Sequence, residues 1–236
     1  MNWNNFKSKF HKSWHKDIKP FIESKECDEI YKFLKEETKA GVRIAPASSN
    51  TFRTFFITPL DEVKCVIIGG APYDRYYKDQ PIATGVLLDC SITKQVTPQL
   101  KNFYEGIEKE FYDGINLNYV QDWNLDYLAE RGVLLLNSSL TVEKDKINNH
   151  FEIWKPFISF ILKEIISWMD VPVILIGEEA QFYRKLINAT NYIYPLSTLK
   201  GIGQKWDTKN TFNYVNKRLS NNDLGSIMWL NIDVPF

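Results

Sequence analysis

Residues 63–74 read V-K-C-V-I-I-G-G-A-P-Y-D, an apolar run that ends in two glycines and a proline. A short run of β-branched and apolar residues bounded by glycine is typical of a buried parallel strand. Gly69 and Gly70 allow a tight turn, and Pro72 holds Ala71 in an extended conformation. Because ligands of open α/β sheets bind at the carboxyl ends of the strands, residues 69–74 are a candidate site. An ordinary strand-to-loop exit would show the same pattern.

Three further apolar runs, at residues 133–137, 173–176 and 192–194, predict strands, and residues 86–88 predict a short one. Helical patterns alternate with them, at residues 3–19, 25–38, 52–56, 97–111, 125–130, 154–169, 179–188 and 208–219. This alternation predicts an α/β fold with three α/β/α layers around a central four-stranded, mostly parallel sheet. The strand ends near Gly69, Asn137, Gly177 and Tyr194 should then meet at one edge.

No linker or shift in composition divides the chain, so residues 1–236 are expected to form a single domain. Within it, residues 1–60 are a helical N-terminal part and residues 61–236 hold the parallel sheet. Aromatic residues at spacings of three and four predict one helix over residues 3–19, ended by Pro20. Ser24 is the expected N-cap of the next helix, and Pro98 fits the first turn of another.

The composition limits the classes of function. The chain has 236 residues, of which 44% are hydrophobic, and 29 basic side chains balance 29 acidic ones. The zero net charge gives less support to a nucleic-acid-binding role than a basic chain would, but it does not exclude that role, because a local basic patch is enough to bind nucleic acid. Cys27, Cys65 and Cys90 lack C-x-x-C spacing, which indicates a reducing compartment and neither disulfides nor a zinc site. We expect no metal and no cofactor.

The hydropathy pattern indicates neither a membrane span nor a secretion signal. No apolar run is long enough to cross a bilayer, and residues 1–19 are polar, aromatic and basic. The expected location is therefore intracellular, in the cytoplasm, the nucleoid or the nucleus, and not secreted.

Five motifs, in chain order, carry a resemblance to a known family. They are G-G-A-P-Y-D at 69–74, T-P-Q-L-K-N at 97–102, R-G-V-L-L-L-N-S-S-L-T-V at 131–142, I-G-E-E-A-Q at 176–181 and Y-I-Y-P-L-S at 192–197. They resemble the motifs of the large monomeric uracil-DNA glycosylases, such as G-Q-D-P-Y-H, W-G-S-x-A-Q and H-P-S-P-L-S. The resemblance covers roughly residues 12–230, and the stretch ending in Asn137 is its most specific part.

The resemblance implies a protein that flips a base out of DNA and reads it in a pocket. It places Asn137 at the uracil edge, Tyr73 against the C5 position and Leu196 as the wedge that fills the gap in the duplex. From the residues alone, alternatives stay open: Asn137 could cap a backbone turn, and Tyr73 and Leu196 could pack in the core.

The motifs of this chain also differ from those of the family at several positions. The catalytic Asp of the family corresponds to Ala71, and the motif His to Tyr192 if the P-L-S register holds. Leu88 stands where the family stacks a Phe on the base, and Gly70 where it has Gln. Glu178 replaces a Ser that contacts phosphate, and a carboxylate there repels DNA. Together these changes remove charge complementarity from both sides of the scissile bond.

Several other residues are candidates for the site. Asp74 and Asp79 (or Asp89) are candidate substitutes for the missing carboxylate, although solvated loop aspartates are the simpler interpretation. Expected DNA contacts lie in three motif loops and in the loop before the last sheet strands; they are Thr97, Pro98, Gln99, His150, Gly177, Glu178, Leu196 and Ser197.

Three hypotheses follow. The favoured one is a glycosylase-like protein whose excision of ordinary uracil is weak or lost and which binds DNA or a base. The alternatives are an active glycosylase with a rearranged site, and a protein-interaction or decoy module. The expected partner is single- or double-stranded DNA, with a replication or inhibitor protein as a second candidate, and the chain is expected to be a monomer. A basic face around Lys94, Lys101, Lys144, Lys146, Lys200 and Lys205 would support DNA binding.

Overall fold

A computed structural model describes residues 3–113, 119, 121–188, 193–199 and 205–232. The strands of the described residues are β1 (Ile44–Ala45), β2 (Cys65–Gly69), β3 (Tyr76–Tyr77), β4 (Gln80–Pro81), β5 (Val133–Asn137), β6 (Val142–Glu143), β7 (Val173–Ile176) and β8 (Ile193–Leu196). The four longest form one sheet in the order β5-β2-β7-β8, and every neighbouring pair is parallel. The predicted four-stranded parallel sheet is therefore confirmed.

Helices cover the sheet. They are α1 (Trp3–Phe6), α2 (His15–Ile22), α3 (Lys25–Lys39), α4 (Arg53–Ile57), α5 (Pro98–Tyr112), α6 (Asp126–Glu130), α7 (Phe151–Phe160), α8 (Glu178–Phe182) and α9 (Thr211–Asn221). α7 continues through a π turn at Ile161–Ile165 into a 3₁₀ turn at Ile166–Trp168, and α8 is followed by a 3₁₀ turn at Tyr183–Leu186.

The sheet is buried on both faces because its strands carry apolar side chains at consecutive positions. On one face Val66, Ile68 and Leu134 pack with residues of α2, α3 and α7. On the other face Ile67 and Leu135 pack with residues of α5, α6 and α9. Alternate side chains of one strand thus reach two helical layers, which confirms the three-layer α/β/α architecture.

Two helix starts follow their sequence signals. The Ser24 side chain accepts a hydrogen bond from the Cys27 backbone N–H at 3.2 Å and caps α3. The Thr97 hydroxyl accepts from the Leu100 N–H at 3.2 Å and caps α5, whose first residue is Pro98. Side-chain acceptors at these positions satisfy N–H groups that the helix leaves unpaired.

The prediction of one helix over residues 3–19, ended by Pro20, is wrong. The chain becomes extended at Phe10 and His11, and 3₁₀ turns at Lys7–Lys9 and Lys12–Trp14 separate α1 from α2. Pro20 lies inside α2. Ile18 and Ile22, on either side of it, are fully buried, so packing of the helix outweighs the hydrogen bond that proline removes.

Residues 86–88 form a loop rather than the predicted strand. Gly85 and Leu88 have φ angles of 82° and 63°, which no β-strand accommodates. The predicted strand at 192–194 is instead β8, whose last residue is Leu196. Two small antiparallel pairs, β1 with β6 and β3 with β4, were not predicted.

Candidate functional site

The carboxyl ends of the central strands meet at one edge of the sheet. Gly69 at the end of β2 pairs with Asn137 at the end of β5, and the Ser138 N–H donates to the carbonyls of both Gly69 and Gly70 at 3.1 Å. Across the sheet Ile176 pairs with Leu196. These contacts hold the loops after all four strands around one crevice, as the sequence predicted.

A cavity of about 380 Å³ opens at this edge. The loop after β2 contributes Gly70, Ala71, Tyr73 and Asp74 to its lining, and the other contributors include Leu88, Gln99, Asn137, Gly177, Glu179 and Thr198. The predicted base-binding residues Gly70, Tyr73, Leu88 and Asn137 therefore line one cavity. Its volume lies within the range that is usual for small-molecule sites.

Asn137 lines this cavity, and the residue is 5% exposed. None of the hydrogen bonds among the residues that the structure describes involves its side-chain amide. Buried amides in proteins are nearly always hydrogen-bonded, so an unpaired one in a cavity wall is available to a ligand. It offers one acceptor and two donor hydrogens. Capping of a turn, the alternative role considered for Asn137, is absent among the described residues.

Tyr73 forms a rigid wall of the cavity. Its hydroxyl lies 2.8 Å from the hydroxyl of Thr97, and the Cys90 sulfur lies 3.7 Å from the Tyr73 oxygen. Burial raises the pKa of the Tyr73 phenol, and the neighbouring Cys90 raises it further. The ring is therefore neutral and held in place by its polar end.

The two glycines of the turn before Ala71 have different amounts of free space around them. A Cβ on Gly69 would lie 2.4 Å from Cδ1 of Leu87, so a side chain there would displace Leu87. A Cβ on Gly70 would meet nothing within 4 Å. The close packing at Gly69 holds the turn against the sheet, whereas the neighbouring Gly70 and Ala71 leave the cavity open on this side.

The three candidate carboxylates have different surroundings. Asp74 lines the cavity, its side chain is 15% exposed, and one oxygen lies 3.7 Å from Nε of Arg75. Asp79 is 96% exposed in the turn between β3 and β4 and is not among the residues that line the cavity. Asp89 is fully buried and accepts a hydrogen bond from the Leu125 N–H. Only Asp74 of these three lies at the cavity.

The sequence of the chain was compared with those of known proteins and protein families. No family model matches the chain. The chain is 31% identical over 231 residues to the uracil-DNA glycosylase of Streptococcus equi subsp. zooepidemicus, which covers 93% of this chain and 99% of that protein. It is 30% identical over 239 residues to the uracil-DNA glycosylase of Pseudomonas aeruginosa, with 97% and 98% covered. The chain belongs to the uracil-DNA glycosylase family.

Solved structures of the family share the fold. The crystal structure of the mimivirus uracil-DNA glycosylase superposes with a TM-score of 0.83 at 17% identity, covering 97% of this chain and 89% of that one. A variant of the mimivirus protein, solved in complex with UGI, has a TM-score of 0.84 at 18% identity and coverages of 97% and 91%. These likenesses support the three-layer architecture.

The glycosylase motif Y-I-Y-P-L-S takes an unexpected position. Leu196 is 1% exposed and packs in the core with Ile176, so the structure favours core packing over the wedge role. Ser197 is exposed, and its carbonyl accepts a hydrogen bond from Trp206. The cavity is lined instead by Thr198 and Leu199, which sequence reasoning missed. Tyr192, the predicted counterpart of the family's His, lies outside the described residues.

His150, a predicted DNA contact, is buried in this structure. The imidazole is fully buried, its Nδ1 lies 2.9 Å from the Thr141 hydroxyl, and Trp154 donates to the same hydroxyl at 2.6 Å. Burial lowers the pKa of His150. The neighbouring Ile147 and Asn148 reach the cavity instead.

The remaining predicted DNA contacts lie around the cavity. Thr97, Pro98 and Gln99 are half-buried at the start of α5, and Gln99 lines the cavity. Gly177, with a φ of 90°, precedes α8, and the next residue, Glu178, is exposed. These positions are compatible with contact to a ligand that enters the cavity.

Three of the six lysines predicted to form a basic face lie close to carboxylates. Lys144 lies 2.8 Å from Asp145, Lys146 lies 2.8 Å from Glu143, and Lys101 lies 3.5 Å from an oxygen of Glu105. Lys94 and Lys205 are exposed, and Lys200 lies outside the described residues. The predicted basic face is therefore a mixed face, which lowers the expected contribution of phosphate contacts.

In the described ranges, no helix is long and apolar enough to cross a membrane. Nor do three or more His, Cys, Asp or Glu side chains of that part of the chain cluster as metal ligands would.

Proposed function

We propose that this glycosylase-family protein binds DNA at the carboxyl edge of its sheet, holds an extruded base in the cavity, and excises ordinary uracil weakly or not at all. One observation carries the proposal. The unpaired amide of Asn137 lines the same cavity as Ala71, so a group able to read a base is present where the expected catalytic carboxylate is missing.

The cavity has the chemistry to recognise the edge of a pyrimidine. A side-chain amide can donate to one atom of an imide face and accept from the next, which fits the unpaired Asn137. Tyr73 supplies a neutral, fixed ring beside it. Because both groups are already in place, binding costs little rearrangement of the protein.

Hydrolysis of the glycosidic bond makes further demands. Positive charge grows on the sugar and negative charge on the departing base, so the site must complement both. The methyl group of Ala71 has no lone pair with which to orient water or face a cation. Loss of one such group typically lowers the rate about 10²–10³-fold. We therefore expect this chain to bind DNA and an extruded base even though its hydrolysis of the glycosidic bond is weak or lost.

A second candidate function is favoured by Asp74. Its carboxylate lines the cavity and lies 3.7 Å from the guanidinium of Arg75. A carboxylate at this position could serve an active glycosylase directed at another base. In that case Asp74→Asn would abolish base release from DNA while leaving DNA affinity within about twofold, because an amide fills the same volume.

DNA binding requires that the lysines at this edge exchange their carboxylate partners for phosphates. Exposed ion pairs contribute only about 0–1 kcal/mol, so this exchange is energetically accessible. Glu178 and the paired lysines also suit a protein partner, and this is the observation behind the decoy alternative. Affinity for DNA that falls steeply with salt would favour phosphate contacts over that alternative.

The proposal is tested by calorimetric titration of free bases, beginning with uracil, into the natural protein and two amide variants. Asn137→Ala removes the amide at the cavity. Asn222→Ala is the matched control, because the Asn222 amide pairs with Asp170 just before the amino end of β7, on the opposite edge of the sheet. We expect binding by the natural protein and the control and none by Asn137→Ala. Equal affinity in all three would remove Asn137 from the base site.

A further inference from the structure

Ile147 has an unusual position for an aliphatic side chain. It is 83% exposed, the highest value among the large apolar side chains of the described residues, and it lies at the rim of the cavity. Single exposed apolar residues are common on protein surfaces and mean little by themselves. Ile147 differs from such residues because it lies at the cavity that Asn137 also lines, and this position suggests a role in binding.

The loop that carries Ile147 is held rigidly. Asn149 accepts a hydrogen bond from the Glu143 N–H at 3.0 Å and donates to the Glu143 carboxylate at 3.1 Å. The Asn148 amide donates to Glu179 at 2.7 Å, and the Asp145 N–H donates to the Asp74 carbonyl at 3.1 Å. The loop is thus tied to both neighbouring loops of the cavity.

Backbone conformation also fixes the tip of this loop. Asp145 and Asn148, which flank it, have φ angles of 59° and 66°, in the left-handed region that Asp and Asn tolerate better than most residues. Between them the Ile147 side chain projects into solvent. A rigid loop that presents one apolar side chain loses little conformational entropy when that side chain is buried by a partner.

We propose that Ile147 is the wedge that enters the duplex and fills the space left by the extruded base. The inference rests on the proposed DNA binding. Apolar side chains inserted between base steps are a general means of stabilising a distorted duplex. Leu196 is buried in the core, so it does not supply this wedge in the observed structure. Lys144 and Lys146 precede Ile147 in sequence, so their ammonium groups are close enough to contact phosphates once they leave Asp145 and Glu143.

A wedge has a consequence that distinguishes it from an ordinary surface contact. Extrusion of a base from a duplex leaves a gap in the stack, whereas a single strand has no paired stack to fill. Shortening Ile147 should therefore weaken binding to duplex DNA and leave binding to single-stranded DNA unchanged. Asn137, which reads the base itself, should matter for both.

The experiment compares the natural protein with Ile147→Ala, Ile147→Leu and Leu224→Ala. Leu224 is a matched control, an aliphatic residue with 42% exposure that lies beyond α9, away from the cavity. The probes are a short duplex with one central uracil·adenine pair and 2-aminopurine as the adjacent base, and the uracil strand alone. Affinity is measured by anisotropy, and unstacking by the fluorescence of 2-aminopurine.

The expected result is that Ile147→Ala binds the duplex about tenfold more weakly, loses the rise in 2-aminopurine fluorescence and binds the single strand as before. Ile147→Leu and Leu224→Ala should match the natural protein. Equal duplex affinity and fluorescence in Ile147→Ala would overturn the wedge and leave the proposed DNA binding intact. Failure of the natural protein to bind either probe would overturn both.

Discussion

The hydroxyl of Tyr73 lies 2.8 Å from the hydroxyl of Thr97, and this contact joins the loop after β2 to the start of α5. Thr97 also accepts the hydrogen bond that caps α5, so one side chain fixes the helix and the wall of the cavity together. The geometry of the base site thus depends on a residue that the sequence marks as a helix cap.

Replacing Thr97 tests this double role. Thr97→Val keeps the shape but removes both hydrogen bonds, and we expect it to lower the free energy of unfolding by about 1 kcal/mol. It should also weaken base binding, because Tyr73 loses its partner. Thr97→Ser keeps the hydroxyl and should restore both properties. Urea unfolding and calorimetric base titration measure the two effects; unchanged base affinity in Thr97→Val would limit the residue to capping.

Replacing Leu196 separates a core role from a wedge role. Leu196→Ala removes a buried side chain and should lower the free energy of unfolding by roughly 2–5 kcal/mol. Leu196→Met conserves volume and should cost less than about 1.5 kcal/mol. The folded fraction of both variants should bind duplex DNA as the natural protein does. Normal stability of Leu196→Ala with a selective loss of duplex affinity would show that Leu196 leaves the core to contact DNA.

His150 should make the stability of the protein depend on pH. Burial lowers the pKa of its imidazole below the ordinary value of 6.5, so below that pH the unfolded chain binds more protons than the folded one. The free energy of unfolding should therefore fall as the pH decreases from about 6.5 and be insensitive to this group above it. Among charged neighbours, Glu143 opposes the shift and Lys146 adds to it.

Urea unfolding between about pH 7 and pH 5 measures this dependence. His150→Asn keeps a hydrogen-bonding group near Thr141 but cannot take up a proton, so its curve should be flatter than that of the natural protein. His11 and His15 remain in both proteins, and the difference between the two curves therefore isolates His150. Parallel curves would contradict a depressed pKa at this site.

The sheet was predictable because burial on both faces leaves consecutive apolar residues, as in V-L-L-L-N at β5, and few other arrangements tolerate that pattern. The convergence of Gly69 and Asn137 followed directly from parallel strands. The caps at Ser24 and Thr97 were predictable because they depend on a side chain and an N–H only a few residues apart.

Other features depend on contacts that are distant in sequence. His150 is buried against Phe33 and Thr141, and no local pattern around it records either contact. Leu196 was assigned by the register of a motif, and the position of the end of β8 decides instead that Thr198 and Leu199 line the cavity. Pro20 remains helical because Ile18 and Ile22 pack around it. Tertiary packing settled each of these cases.

The most direct test of the account is a single-turnover glycosylase assay with protein in excess over uracil-containing DNA. DNA binding is measured in parallel for the natural protein and for Ala71→Asp. We expect the natural protein to bind the DNA and to release uracil at least about 10²-fold more slowly than an active family member, with Ala71→Asp releasing it faster. Uracil release by the natural protein at the rate of an active glycosylase would contradict the account, and Asp74→Asn would then identify the carboxylate responsible.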